Sequence, residues 1–391
     1  MKREVRVTRA ADWDKLIACG LLCAASLLAA IDGSGETWHV RKDGTGDYTV
    51  IQDAADVAAD GDTILVGAGT YLEHAPFAVA SRAEREVAVG IVQSDITLRG
   101  VHRDSVIITQ VEYDAKNFGI SMRYGAGTNL RIESLTVKNL REGITTSQWC
   151  EIRDVRATKC GTGFAVEGSA LISECLLDSA RNIGVFAPFV SQDVTIRDCV
   201  FRDNHTMALQ MFGTPLGLIE DVEVSGGIVG LSIVEGANVV LRRCWVRDAE
   251  NYCLDFGSGV QVELHDSIIE GSYGNIGFRG PQSFVGHGNL LRGSSYAALY
   301  RIREMDPMDF TGNEILLGDS LYATTEGIMI GVVDLANNWW GTTDPEFVRP
   351  RILDAQVDAL LGHEIFFEPM LQQKVSVPSG SVGGVKAQYK R

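Results

Sequence analysis

Residues 219–257 read IEDVEVSGGIVGLSIVEGANVVLRRCWVRDAENYCLDFG, and they hold one short phrase twice. An apolar residue, two charged residues, a small or apolar residue, a variable residue and a second apolar residue stand at Ile219–Val224. The same order returns at Leu241–Val246. A second apolar run follows each phrase, GLSIV from 230 and CLDFG from 253. Further along the chain in both directions, the phrase begins at Ile132, Ile152, Ile172, Ile196, Ile219, Leu241, Leu264, Val285, Phe310 and Leu335. Alternation in the second run puts Phe164, Val185, Leu209, Leu231, Leu254, Ile276 and Ala298 on one face.

The unit is about 22 residues long and holds two or three short strands. It lacks the 3.6-residue period of helical repeats and the Leu/Asn consensus of leucine-rich repeats. A unit of this kind buries its apolar face only by stacking on the next one. The fold expected is all-β: a single-stranded right-handed parallel β-helix of about 10–12 coils.

The fourth position of the phrase reads Leu135, Val155, Cys175, Cys199, Val222, Cys244, Ser267, Gly288, Asn313 and Asn338. It is expected to form an inward turn column of small and amide side chains. The two residues before it are mostly charged and should lie on an exposed turn, with opposite charges laddered between coils. Exposed pairs of this kind each contribute little. His265, Asp266 and His287 fall in or beside this turn and read as surface residues.

The chain has 391 residues and a formal net charge of −16. Residues 1–35 are almost neutral and the tail 373–391 is basic, so the negative charge sits in the body between them. Such a body repels phosphate backbones, which excludes nucleic acid as a partner. Residues 16–30, LIACGLLCAASLLAA, form an apolar run without a charge. That is short for a membrane span and right for a signal-peptide core. The expected organisation is a signal peptide at 1–35, one β-helix domain at 36–372 with no membrane span, and a disordered tail at 373–391. The protein is expected to be exported to the periplasm, the cell surface or the medium. Six cysteines remain in the body without a CxxC pair, and the histidines have no metal spacing, so no metal is expected. Cys175 and Cys199 lie on neighbouring coils, but stacked parallel side chains disfavour a disulfide.

The stretch DGTGDYTVIQDAADVAADGDTILVGAGTY, residues 43–71, has the order of a phosphate-binding loop. It lacks the lysine of a P-loop and the third glycine of a dinucleotide site, and Asp43 and Asp47 would repel phosphate. No cofactor is expected. Thr49 and Gln52 instead form a capping box, and Ile51, Ala54, Ala55 and Ala58 an apolar stripe. Gly61 supplies a left-handed stop. The segment at about 49–60 therefore reads as a helix that covers the N-terminal end of the rod.

Residues 40–73, VRKDGTGDYTVIQDAADVAADGDTILVGAGTYLE, resemble the N-terminal segment of pectin methylesterases and related pectin-lyase-like carbohydrate enzymes. ITLRGVHRDSVIIT at 96–109 extends the similarity. NNWWGTTDPEF at 337–347 resembles the closing segment of exported bacterial β-helix repeat proteins. The resemblance implies a polysaccharide or cell-surface glycan lying along the strand equivalent to GLSIV. On its outward positions Gln210, Ser232 and Asp255 should stack on three adjacent coils, with Arg279 and Arg301 beyond them. Phe186 and Phe212 would offer apolar faces to sugar rings.

In pectin methylesterases a strand aspartate is the nucleophile, glutamines hold the oxyanion, a second aspartate is the acid/base, and an arginine completes the site. By that resemblance Asp255, Gln210 and Arg279 would be catalytic, and Phe186, Phe212, Ser232 and Arg301 would bind substrate. Ser232 stands where the second carboxylate belongs, and no LGRPW segment follows. A glycosidase would need a second carboxylate, for which Glu235 is the neighbour in sequence. A lyase would use Arg279 or Arg301 as base. The function expected is binding or modification of a polysaccharide along one strand face. The alternative is a non-catalytic envelope module.

Overall fold

The computed structural model of the chain describes residues 35–73, 75–77, 85–122, 129–188, 191–302, 308–316, 320–325 and 331–375. The expected signal peptide, apart from Gly35, and the tail from residue 376 onward lie outside the described residues.

Three parallel sheets wrap one core. Among the described residues sheet A has 12 strands, sheet B 11 and sheet C 13. The coil that begins at Asn238 shows the plan. Asn238–Arg242 lies in sheet A, Trp245–Arg247 in sheet B and Tyr252–Phe256 in sheet C. One strand per sheet per coil makes about 11 coils. The exception in direction is Ala75–Phe77, which pairs antiparallel with Arg85–Ile91 at the end of sheet C.

Successive coils stack in register, so each apolar position of the repeat becomes a column. Ile219, Leu241 and Leu264 are partners in sheet A, Val246 and Ile269 in sheet B, and Leu254 and Ile276 in sheet C. All seven are fully buried. Burying a side chain of this size stabilises by about 1.5–3 kcal/mol, and the columns repeat that gain along the rod.

Two columns run one residue away from the sequence expectation. The partner of Leu264 is Gly286, not Val285. The inward ring on that strand is Phe284, and a Cβ at Gly286 would lie 2.5 Å from the Phe310 ring. The glycine therefore leaves room for two stacked phenylalanines, whose centroids are 5.5 Å apart. The shift carries through the turn, so Asn289 occupies the place expected of Gly288. In sheet C the partner of Ile276 is Leu299, not Ala298, because that coil is one residue longer.

The turn from sheet A to sheet B explains why the repeat holds register. Asn289 Oδ1 accepts the Ser267 N–H at 3.0 Å, Asn313 Oδ1 accepts the Asn289 N–H at 3.0 Å, and Asn338 Oδ1 accepts the Asn313 N–H at 2.9 Å. The amide groups donate to carbonyls of the coil before, as Asn289 Nδ2 does to Leu264 O at 2.8 Å and Asn313 Nδ2 to Gly286 O at 2.8 Å. Turn N–H groups that are buried thus find partners on the next coil. The residue before the column is left-handed on coil after coil, as at Asp198, Asp221, Asp266 and Gly288. Asp and Gly tolerate that conformation best, which accounts for the recurring types there. The expected charge ladder is present on this turn: Arg153 pairs with Glu174 at 3.1 Å and Arg242 with Glu220 at 2.9 Å.

The glycine-rich opening turn folds on its own acids. Asp43 accepts from the Thr45 N–H and hydroxyl, and Asp47 accepts the His39 N–H. The helix that follows spans Ile51–Val57 and buries Ile51, Ala54 and Ala55. It packs on strands Thr37–Val40, Thr63–Val66 and Arg85–Ile91. The expected capping box does not form. Glu73, at the end of GTYLE, accepts the Ile51 N–H at 2.7 Å, while Gln52 turns away to the Gly90 backbone. Gly61 is left-handed as expected, but the helix has already ended at Val57, and Ala58 is its C-cap.

The tenth unit keeps the stack at its turn, where Asn338 ends the amide ladder and Trp339 bridges Glu314, but its first strand departs. Gly331–Asp334, which leads into Leu335, pairs with His363–Phe366 in a separate two-stranded sheet. Trp340 is buried against Tyr322 and Phe367.

All six cysteines of the body are free and buried. Burial pushes the thiols of Cys150, Cys160 and Cys244 up to about 12 and that of Cys253 up to about 11. Unfolded thiols ionise near pH 9, so the unfolded chain releases protons there that the folded chain keeps. Stability present below pH 9 should therefore fall as the pH rises from 9 toward 12. Urea midpoints measured at pH 8 and pH 10.5 check the sign, and a Cys150→Ser/Cys160→Ser/Cys244→Ser chain should show a smaller drop. Asn313→Ala leaves the Asn289 N–H and the Gly286 carbonyl unpaired in the core. It should cost about 2–4 kcal/mol in urea unfolding.

Candidate functional site

Sheet C carries the candidate site on its outer face. Its strands Ile183–Ala187, Met207–Phe212, Val229–Val234, Tyr252–Phe256, Gly274–Phe278 and Ala297–Ile302 are adjacent and in register. The outward ladder runs Phe186, Gln210, Ser232, Asp255, Gly277, Tyr300. Neighbours on it are about 4.8 Å apart. The structure thus brings Gln210, Ser232 and Asp255 together as expected. With Ala298 inward, alternation would put Leu299 on this ladder; Tyr300 stands there, and Leu299 faces the core.

Asp255 is 4% exposed and Ser232 1% exposed. The Arg279 guanidinium grips the Asp255 carboxylate with two nitrogens, Nε to Oδ1 at 2.8 Å and Nη2 to Oδ2. The Ser232 hydroxyl donates to Oδ2 at 3.3 Å. Arg279 reaches over from the next coil with its own side chain 53% exposed. Three hydrogen bonds, two from Arg279 and one from Ser232, fix the carboxylate in place. Gln210 is half-buried, and its amide makes no hydrogen bond to a described residue, so it is open to a ligand.

Phe186 and Phe212 meet edge to face with ring centroids 5.9 Å apart, and both are half-buried. They border the polar centre on one side. Arg301 does not continue the line of Arg279. The register shifts between Leu299 and Ile302, and Arg301 sits in the left-handed region at φ 62°. Its guanidinium lies 5.0 Å over the Tyr300 ring, and the Arg301 backbone N–H donates to Thr324 Oγ1 at 3.0 Å.

On the other side of the centre stands a group that the sequence reading missed. Tyr252 stacks on Tyr300 with centroids 5.7 Å apart, and Tyr273 stacks on Tyr296 at 4.8 Å and 5°. Tyr300 meets the second pair edge-on, at 5.9 Å from Tyr273 and 5.7 Å from Tyr296. Burial raises the pKa of Tyr252 and Tyr273, with the neighbouring Tyr300 phenol adding to it. Asp255 also raises Tyr252, so the tyrosine group adjoins the polar centre. The signal for it lay in two outward glycines. A Cβ on Gly274 or Gly277 would stand 3.0 Å from the Tyr252 ring, so both positions are kept bare to receive it.

Asp255 is the one carboxylate on the outward ladder from Ser121 to Tyr300. Glu235 is exposed on the left-handed turn after Val234. His205 lines a separate pocket of about 520 Å³ with Lys159, Arg181 and Asp203, on the turn that leads into sheet C. His287 lies on the surface of sheet A, 3.4 Å from Asp309. Among the described residues no three His, Cys, Asp or Glu side chains gather to hold a metal ion, and no helix is long and apolar enough to cross a membrane.

A family model described as the right handed beta helix region matches residues 142–295. The fold is the right-handed parallel β-helix. The chain is similar to the A-module of mannuronan C-5 epimerase AlgE6 of Azotobacter vinelandii, at 16% identity and a TM-score of 0.55, over 84% of this chain and 94% of that one. It is also similar to the A-module of AlgE4 of the same organism, at 15% identity and a TM-score of 0.50, over 83% and 94%. At such identities the likeness is one of fold. No curated protein matches the chain in sequence.

The Asp255–Arg279 pair gives an ordering of stabilities. Arg279→Ala leaves a buried carboxylate without its counter-ion. After discounting for the exposed arginine, it should cost about 1–3 kcal/mol. The double variant Asp255→Asn/Arg279→Ala removes that stranded charge and should be more stable than Arg279→Ala alone. Urea unfolding of the two variants and the wild type reads the order, and equal midpoints would show that the pair is not coupled.

Proposed function

We propose that this protein binds a polysaccharide along the outer face of sheet C, across the coils from Phe186 to Tyr300. The observation that carries the reading is the arrangement of that face. Aromatic rings flank a polar centre on both sides, and the ladder between them spans about 24 Å, five coil steps of roughly 4.8 Å each. Tyrosine and phenylalanine rings suit the flat apolar faces of sugars, and phenol hydroxyls suit their rims. A largely aromatic lining with a few placed polar groups is the usual make-up of a binding site. The similarity in fold to modules that act on mannuronan supports a glycan ligand.

Binding is favoured over hydrolysis. Asp255 is held by Arg279 and Ser232 and has no second carboxylate on its ladder. Glycoside hydrolysis by a carboxylate pair needs two such groups about 5–9 Å apart. The site would act outside the cytoplasm, since residues 16–30 have the character of a signal-peptide core. The free thiols fit that setting because all six are buried, out of reach of oxidants.

Affinity electrophoresis through gels cast with a panel of polysaccharides tests the reading. At least one gel should retard the protein. Phe186→Ala/Phe212→Ala and Tyr273→Ala/Tyr296→Ala should each weaken that retardation about tenfold, with far-UV circular dichroism unchanged. Retardation that both variants leave intact would place the site elsewhere. Reducing-sugar, unsaturated-product and ester-release assays on the retarding polysaccharide should give no product.

A further inference from the structure

We infer that the polysaccharide taken by this face is an uncharged one, a conclusion that rests on the binding reading and narrows it to a substrate class. Two of the three charges on the face neutralise each other, and the third is stacked on a ring. Along the ladder from Phe186 to Tyr300 the one carboxylate is Asp255, and Arg279 neutralises it through two hydrogen bonds. Arg301 holds its guanidinium over the Tyr300 ring, where the π-face meets its charge. What the face offers a ligand is the Gln210 amide, the Phe186–Phe212 pair and the tyrosine group. These groups recognise hydroxyls and apolar ring faces.

A polyuronate would bring a negative charge on every ring to a chain whose own net charge is −16. Screening leaves such repulsion effective within about 8–10 Å, which is two coils of the rod. On the face Arg279 is paired with Asp255, and Arg301 adds a single charge against one on every ring of a polyuronate. Lys159, Arg181 and His205 line the pocket on the turn before sheet C. Arg181 lies on that turn, ahead of the strand Ile183–Ala187 that carries Phe186. Its guanidinium is stacked on Tyr113 at 4.4 Å.

The experiment compares retardation of the full chain by neutral polysaccharides (galactan, glucomannan, xylan, β-glucan) with retardation by alginate and polygalacturonate, the acidic gels run with and without calcium, and by chitosan as a cationic gel. The result expected is retardation by at least one neutral polymer, at least tenfold stronger than by any charged one. It should change less than about twofold between roughly 50 mM and 500 mM NaCl, because no ion pair with the ligand is screened. Stronger retardation by alginate, polygalacturonate or chitosan, or a steep loss with salt, overturns the inference while leaving glycan binding standing. Retardation by none of the gels overturns the binding reading itself, and this inference with it.

Discussion

Everything in this fold depends on parallel stacking of coils in register. Equivalent residues of adjacent coils lie about 4.8 Å apart, so each position of the repeat is repeated as a column through the protein. A column of leucine and isoleucine makes core. A column of turn residues makes a difficulty, because its N–H groups are buried and the turn cannot pair them internally. The Ser267–Asn289–Asn313–Asn338 series answers it by letting each coil accept from the one before. In the earlier coils the same place is filled by Leu135, Val155, Cys175 and Cys199, with Val222 and Cys244 following. There the thiols lean on carbonyls, as Cys175 Sγ does on Ser173 O at 3.1 Å and Cys199 Sγ on Arg197 O at 3.1 Å. Cysteine serves here as a small apolar side chain with a weak donor, so the thiols meet turn carbonyls while the amide ladder of the later coils also takes up turn N–H groups.

The same stacking builds the candidate site. Nothing in a single coil places Gln210, Ser232 and Asp255 together, since they are 22 and 23 residues apart. Register alone lines them up, and once aligned they interact: Ser232 donates to Asp255, and Arg279 reaches back one coil to close the pair. The tyrosine group is a product of the same rule. Tyr273 and Tyr296 occupy one turn position on adjacent coils, joined by the backbone bond from Tyr296 N to Tyr273 O. Stacked rings at a coil spacing are what the column makes of a repeated tyrosine.

The sequence carried the fold clearly because columns are periodic, and periodicity survives variation at single sites. It carried the ladder Phe186–Gln210–Ser232–Asp255 for the same reason. It lost register where a coil changed length or where one large residue did the work of two. The pattern took Val285 as the inward position, but Gly286 holds that place, emptied for the Phe310 ring. Tyr300 looked like an inner residue of a 22-residue coil, and one extra residue turned it outward. The capping box of Thr49 and Gln52 was a sound local pattern that a distant acid overrode, because Glu73 reached the Ile51 N–H first. Alternation set Arg301 in line with Arg279, and the structure departs from that because a left-handed residue at a register shift redirects it. The tyrosine group has its supports in residues without side chains, since Gly274 and Gly277 are the floor on which Tyr252 lies.

A face assembled in this way is stiff. Its ladder from Phe186 to Tyr300 rises from strands paired on both sides, within a sheet of 13 among the described residues. Moving one strand means breaking two ladders. The aromatic side chains on it have few torsions to freeze, and their rings already lean on one another. A ligand therefore meets a surface that is ordered beforehand, and less of the contact energy is consumed in arranging it. Stiffness also limits what the face can accept. A polymer that follows the coils must present its recognisable groups where the columns stand. The strand direction cannot adapt, and the polar centre is closed by the Asp255–Arg279 pair. Selectivity on such a surface follows from spacing and from the charges that the rod has already neutralised, more than from any movement on binding.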